Sequence, residues 1–154
     1  MQPNSDIIIS DTSCLIILNK IGELELLKKV GKKVYVTPII HREFGESLPD
    51  WIFISSPNNT HYQQILEMDL DKGEASAIAL SLDMDNPVLI IDELKARKIA
   101  DRLNLRYSGT FGLILKAKQI GLITSVRPIL SKIKSTDFRF SEKLFEAVID
   151  KAGE

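Results

Sequence analysis

The sequence has a single cysteine, Cys14, so no disulfide can form within the chain. Its neighbours are Leu15, Ile16 and Ile17, and this apolar setting predicts a small buried hydrophobic side chain rather than a reactive thiol. A scaffold held together by internal disulfides is therefore excluded.

Long apolar runs are also missing. No stretch reaches the ~18 apolar residues that a membrane helix requires, and residues 1–6 lack the basic and apolar regions of a secretory signal. The chain has no internal repeat and no linker rich in glycine, proline or serine. We therefore expect a soluble, cytoplasmic protein without a membrane segment, folded as one domain over residues 1–154.

An excess of charge of one sign is absent as well. The 20 basic and 21 acidic residues leave a net charge of −1, which argues against a protein that coats long nucleic acids by broad phosphate neutralisation. Contact with a few phosphates through a bound cation remains compatible with this charge. The hydrophobic content of 44% is that of an ordinary globular domain.

Strand-like and helix-like segments alternate along the chain, and this order predicts an α/β fold. Parallel neighbours need crossover connections, so the alternation indicates a parallel sheet covered by helices on both faces. Gly31 and Gly121 are expected to end helices, and Ser141 to cap the last one. We predict strands at 7–10, 34–36, 52–55, 88–91 and 105–108, and helices at 12–20, 24–30, 38–44, 59–67, 73–82, 93–103, 110–119, 125–134 and 141–152.

Two of the apolar strands run directly into an aspartate. Asp11 follows the strand at 7–10, and Asp92 follows the strand at 88–91. In an open parallel sheet, ligands bind at the carboxyl ends of the strands, so two acids at this edge predict a metal site. Each aspartate has an alternative interpretation, because both also stand where a helix begins and suit an N-cap or the helix dipole.

Two glutamates are candidates to complete such a site. Glu74 lies in the first turn of the alanine-rich helix at 73–82, where its alternative role is to stabilise the helix dipole. Glu43, on the helix at 38–44, has the alternative of a surface residue paired with Arg42 or a lysine. The four acids together are more informative than any one of them.

The arrangement of these residues resembles that of PIN domains. The resemblance rests on Asp11-Thr12-Ser13 after the first strand, Glu43 after Thr37-Pro38, Gly73-Glu74-Ala75 before an alanine-rich helix, and Asp92 at the end of a strand. The stretches 92–97 and 109–113 resemble a prokaryotic subgroup related to VapC-type toxins. The likeness extends over nearly the whole chain and fixes order, spacing and local structure together.

This resemblance implies a three-layer α/β/α fold with a five-stranded parallel sheet in the order 3-2-1-4-5. It also implies cleavage of single-stranded RNA dependent on Mg²⁺ or Mn²⁺, often by a homodimer that is the toxin of a toxin–antitoxin pair. Many relatives carry a further acid near the fifth strand, where this chain has Ser108, Gly109 and Thr110. Thr110 is a candidate to hold a water or a phosphate there.

Four converging carboxylates require a counter-charge, since two charges ~5 Å apart interact by roughly 3 kcal/mol at an effective dielectric near 20. Mg²⁺ and Mn²⁺ suit such a cluster because they prefer carboxylate oxygen. We expect Asp11, Asp92 and Glu74 to hold the metal, with Glu74 orienting or deprotonating the attacking water. Glu43 is expected to be a further ligand or a partner of one, so all four acids are candidate catalytic residues.

Neighbouring polar residues are candidates for supporting roles. Thr12 and Ser13 are expected to fix the Asp11 loop through bonds from hydroxyl to backbone, or simply to cap the helix. Ser13 is also a candidate to touch a water on the metal. Arg97 lies one turn after Glu93 on the same helix, so it is expected either to contact a substrate phosphate or to pair with Glu93.

Two other classes of function compete with a nuclease. One is a catalytically weak or inactive module that keeps the fold and binds RNA or a protein partner, which the near-neutral charge and Thr110 favour. The other is a phosphotransfer domain, which also places an aspartate after the first strand. One main type of phosphotransfer domain requires a second aspartate where this chain has Ser13, and the other requires a lysine where it has Thr110.

Overall fold

A computed structural model describes residues 7–154, so the prediction made for the N-terminal segment 1–6 lies outside the described residues. Five parallel strands form one sheet in the order β3-β2-β1-β4-β5, and the predicted order is confirmed. The strands are β1 (Ile7–Ser10), β2 (Lys33–Val36), β3 (Ile52–Ile54), β4 (Val88–Ile90) and β5 (Arg106–Ser108).

Helices flank this sheet and give the predicted α/β/α architecture. The predicted helices are all present, with ends that differ from the predictions by at most two residues. They are α1 (Thr12–Lys20), α2 (Glu25–Val30), α3 (Pro38–Phe44), α4 (Thr60–Leu66), α5 (Lys72–Asp83), α6 (Leu94–Arg102), α7 (Thr110–Gln119), α8 (Arg127–Lys134) and α9 (Glu142–Lys151). Within residues 7–154, none of them is long and apolar enough to cross a membrane.

Side-chain caps start several of these helices where the sequence changes from extended to helical. The Ser141 side chain accepts a hydrogen bond from the backbone of Leu144, as predicted. Asp11, Thr37 and Asp71 cap α1, α3 and α5 in the same way. Such a cap satisfies a backbone N–H that the helix itself leaves unpaired.

The centre of the sheet is apolar on both faces, which is typical of parallel strands covered by helices. Ile8 and Ile9 of β1 are fully buried, as are Leu89 and Ile90 of β4. In the register of these two strands Ser10 is opposite Ile90, and the Asp11 N–H donates to the Ile90 carbonyl at 3.0 Å. The two central strands therefore end at the same level.

Gly31 follows α2 as predicted, but for a different physical reason. Its φ of −113° is extended, whereas Gly121 after α7 has the left-handed φ of +83° that favours glycine. A Cβ on Gly31 would stand 2.6 Å from Cδ1 of Ile8. Gly31 therefore makes room for a core side chain of β1.

The last residue of the sequence, Glu154, is bound into the fold by its side chain. Its Oε1 accepts from Ser125 Oγ at 2.5 Å, and its Oε2 accepts from the Val126 N–H and from Lys118 Nζ, each at 2.9 Å. Through these bonds Glu154, which follows α9, is joined both to α7 and to the segment before α8. The hydrogen bonds from Ser125, Lys118 and Val126 lower the pKa of Glu154 to about 2.

Substitution Glu154→Gln should lower the melting temperature at pH 7 by roughly 2–4 °C, since it removes a carboxylate that the folded state favours. The pKa is lower in the folded than in the unfolded chain, so the stabilisation is complete above about 4.5 and is lost as the pH falls towards about 2. Thermal unfolding followed by circular dichroism from pH 7 to pH 2 measures the gap between the melting temperatures of the wild type and Glu154→Gln. Glu146→Gln, an exposed change on α9, is the control. A gap that stays constant down to pH 2 would contradict this assignment.

Candidate functional site

Asp11 is the most buried acid at the carboxyl edge of the sheet, with 5% of its surface exposed. Its Oδ1 accepts from the Cys14 N–H at 2.8 Å and so caps α1. Its Oδ2 accepts from the Asp92 N–H at 3.1 Å. The alternative interpretation of Asp11 as an N-cap is therefore confirmed, and the same carboxylate also joins β1 to the end of β4, whereas its role as a metal ligand stays a prediction.

Asp92 is held beside Asp11 by the start of α7. Its Oδ1 accepts from the Thr110 N–H at 2.8 Å, and its Oδ2 accepts from Thr110 Oγ1 at 2.6 Å. Nη2 of Arg97 lies 4.0 Å from Asp92 Oδ1. Thr110 is 1% exposed, so its hydroxyl binds the Asp92 carboxylate and does not face solvent.

Glu43 comes from α3 and reaches the same edge of the sheet. Its Oε1 accepts a hydrogen bond from Thr12 Oγ1 at 2.6 Å, which ties it to the residue next to Asp11. The carboxylate of Glu43 also lies against Gly73, where any Cβ would collide with Oε1. Gly73 therefore gives Glu43 access to the first turn of α5, which carries Glu74.

Burial and the charges of neighbouring acids act together on the carboxylates of Asp11 and Glu74. Burial, followed by the charges of Asp92 and Glu74, raises the pKa of Asp11 to about 7. Burial also raises the pKa of Glu74 to about 7, with further contributions from the charges of Asp71, Glu93 and Glu43. The sequence therefore folds into an acidic centre whose ionised form lacks sufficient counter-charge.

The donors at this centre have the chemistry of a site for a hard divalent cation. All are carboxylate oxygens, and the repulsion between them is of the kind that a bound cation relieves. Within residues 7–154, however, no three side chains of His, Cys, Asp or Glu converge into a preformed ligand set. The residues fit an ion such as Mg²⁺ that keeps several waters and binds one or two carboxylates directly.

Thr12 and Ser13 do not have the predicted contacts. The Thr12 hydroxyl bonds the carboxylate of Glu43 instead of the backbone around Asp11. Ser13 is exposed, and the cap that starts α1 is Asp11 itself. The predicted hydroxyl bonds to the Asp11 loop are therefore wrong, since the aspartate already occupies the free backbone donor of Cys14.

Arg97 points into the site instead of pairing with Glu93. Its Nε donates to the Ile91 carbonyl at 2.8 Å, and this bond aims the guanidinium at Asp92. The predicted alternative of an Arg97–Glu93 pair is thus wrong. Glu93 is exposed at the start of α6, and its effect on the site is the charge that it contributes near Glu74.

Two residues of the site were not predicted from the sequence. Asp71 caps α5 and raises the pKa of Glu74, and the signal for it was an aspartate three residues before that glutamate. Gly109 is the other, since a Cβ there would collide with Nη2 of Arg97 and lie 2.9 Å from Asp92 Oδ1. A contact of this kind is visible only after folding.

Substitution Asp11→Asn should stabilise the metal-free protein at pH 8. Between pH 3.8 and about 7 the folded chain retains a proton that the unfolded chain has released, so wild-type stability falls as the pH rises through this range. The neutral amide avoids this loss but keeps fewer acceptors, so we expect a gain of roughly 1–2 kcal/mol. Urea unfolding in EDTA at pH 8 and pH 5 measures it, and the gain should shrink at pH 5.

Added MnCl₂ should make the wild type more stable than Asp11→Asn, because an ion that binds the folded state raises its stability by mass action. It should stabilise the wild type and the control Asp101→Asn, an exposed change on α6, and leave Asp11→Asn unaffected. A variant less stable than the wild type in EDTA at pH 8 would show that the Asp11 charge is well compensated without metal.

Comparison with known families agrees with this architecture. A family model described as a PIN domain matches residues 7–154, which is nearly the whole chain. Among curated proteins, none matches the sequence.

Proposed function

The chain belongs to the PIN-domain family, whose members are generally nucleases, and from this premise we propose that it is a metal-dependent endoribonuclease acting on single-stranded RNA. The observation that carries the proposal is the hydrogen bond from the Asp92 backbone to the buried Asp11 carboxylate, with Glu74 and Glu43 at the same edge. Acids gathered in this way repel each other, and their repulsion is useful only if a cation is to be held.

Asp11, Asp92 and Glu74 are the residues that we assign to holding a Mg²⁺ or Mn²⁺ ion. When bound, such an ion supplies positive charge that acidifies water and balances the charge growing on the phosphate. The bonds from Cys14 and Thr110 fix the carboxylates of Asp11 and Asp92 before any ligand arrives. That preorganisation is what a site of this kind requires from its scaffold.

Glu74 is the residue that we assign to the attacking water, which it orients and whose proton it accepts. The water oxygen bonds to phosphorus as the bond from phosphorus to the 3′ oxygen breaks, and the leaving oxygen takes up a proton. The products are a 5′-phosphate and a 3′-hydroxyl. Glu43, fixed by Thr12, helps to hold the metal or its waters, and Arg97 stands where it can meet a substrate phosphate.

Purified protein with Mn²⁺ should cleave single-stranded RNA, and Asp11→Asn should lower the rate by at least about a hundredfold through loss of a metal ligand. Asp101→Asn removes one negative charge from the exposed face of α6 and should leave the rate unchanged. Denaturing gels of an end-labelled RNA give the rates and the product ends. Equal cleavage by wild type and Asp11→Asn would reject the proposed site.

A second candidate function has a specific observation in its favour. Both carboxylate oxygens of Asp92 already accept bonds from Thr110, and three preformed ligands are lacking within the described residues 7–154. A module that binds RNA without cutting it would need no more than this. RNA binding without cleavage at millimolar Mn²⁺ would favour that function over the nuclease.

We also propose that the protein is the toxin of a toxin–antitoxin pair and acts as a homodimer. The toxin proposal is supported by the resemblance of residues 92–97 and 109–113 to that subgroup, and a small antitoxin protein is its expected partner. The dimer proposal is supported by exposed apolar side chains on and just after α4. Tyr62, Ile65 and Met68 are 45%, 63% and 83% exposed.

If α4 forms the dimer contact, Ile65→Glu should convert a dimer into a monomer, because a buried unpaired charge opposes association. Ile120→Glu places the same change on another exposed isoleucine, at the end of α7, and should remain dimeric. Light scattering after size exclusion gives the mass of each. A monomeric wild type, or a dimer that survives Ile65→Glu, would contradict the assignment.

A further inference from the structure

A cavity of about 550 Å³ opens beside Asp92 and runs between α7 and α9. We propose that it binds one nucleotide of the RNA strand, next to the phosphate at the acidic centre. The base would rest on Phe111 and Phe140, and a phosphate would face Arg97 and Lys151. This inference rests on the proposed function and adds to it a binding subsite for the substrate. The volume is within the range of pockets that hold small ligands.

The aromatic wall of the cavity belongs to a cluster of three rings. The rings of Phe111 and Phe140 lie edge to face with centroids 4.9 Å apart, and Phe145 contacts both, with centroids 5.8 Å and 6.2 Å away. Phe145 is buried, whereas Phe111 and Phe140 are half-buried and line the cavity. Nucleic-acid bases stack on aromatic side chains of this kind regardless of base identity.

Two cations stand where a phosphate chain would pass. Arg97 is positioned by its bond to the Ile91 carbonyl, and its side chain remains 34% exposed. Lys151 is exposed at the end of α9 and lines the same cavity. Arginine and lysine at the border of an aromatic pocket complement a unit that combines a flat base with an anionic phosphate.

The cavity is continuous with the acidic centre, because Asp92 belongs to both. Gly109 and Gly112 line the cavity, and neither position has room for a side chain. A Cβ on Gly112 would collide with Ser108 Oγ, and one on Gly109 would collide with the guanidinium of Arg97. A nucleotide in this cavity would therefore be adjacent to a phosphate bound through a cation at the acidic centre.

The test is binding of a labelled short single-stranded RNA, measured by fluorescence anisotropy in EDTA, where metal-dependent cleavage is off. Lys151→Gln should weaken binding about threefold to tenfold and reduce the slope of log K against log salt by about 0.7, the share of one phosphate contact to a single strand. Lys143→Gln makes the same change of charge on α9 outside the cavity and should retain the wild-type slope. A merely structural role of Lys151 would not change the salt slope.

Ala147→Phe gives a second, independent measurement. Ala147 lines the cavity and is exposed, so the larger side chain can be accommodated while it occupies the space of the base. We expect binding about tenfold weaker with the salt slope of the wild type, because no phosphate contact is lost. Circular dichroism confirms folding, and Lys151→Gln decides alone if Ala147→Phe does not fold.

Wild-type affinity and slope in both Lys151→Gln and Ala147→Phe would overturn the inference. If those variants bind as the wild type does while Mn²⁺-dependent cleavage persists, the subsite is wrong and the nuclease stands. If binding depends on Lys151 but no cleavage occurs with Mn²⁺, the subsite stands and the nuclease is wrong.

Discussion

The hydrogen bond from the backbone of Asp92 to the carboxylate of Asp11 is the contact on which the candidate site depends. It exists because β1 and β4 are neighbours and end together, with Ser10 opposite Ile90. A shift of one residue in this register would turn the side chains of a strand to the opposite face and separate the two aspartates. The apolar strands at the centre of the sheet therefore determine the geometry of the chemistry at its edge, since their burial fixes the register.

Holding acids in this way lowers the stability of the fold. Asp11 is almost fully buried, and both it and Glu74 have pKa values raised to about 7 by burial and by neighbouring carboxylates. The fold offsets the cost with backbone donors, because the N–H groups of Cys14 and Asp92 bind the Asp11 carboxylate and lower its pKa. Such a balance is typical of sites kept ready for a charged ligand, where function and stability compete.

The sequence was sufficient to predict the sheet order, the helices to within two residues at their ends, and the position of Asp11 beside Asp92 at the carboxyl edge of the sheet. These features depend on local patterns: apolar strands ending in an acid, caps, and the spacing of one motif from the next. The partners of Thr12, Arg97 and Gly31 were not predictable, because each contacts a residue or backbone group brought close only by the tertiary fold. Sequence spacing left either a substrate phosphate or Glu93 as the partner of Arg97, whereas the fold adds a bond from Arg97 to the Ile91 carbonyl.

Although the net charge of the chain is near zero, some of its cationic side chains lie close to the acidic centre. A second cavity, of about 450 Å³, flanks the acids at Glu43 and is lined by Arg42 and Lys72 together with a further acid, Glu67. The first, beside Asp92, carries Arg97 and Lys151. Under the proposed function, cations on both sides of an acidic centre attract phosphates locally, while the net charge of −1 gives the surface as a whole little affinity for long nucleic acids. Binding would then depend on a few phosphates near the acids and on whatever ion those acids hold, so affinity for RNA and occupancy of the metal are expected to be coupled.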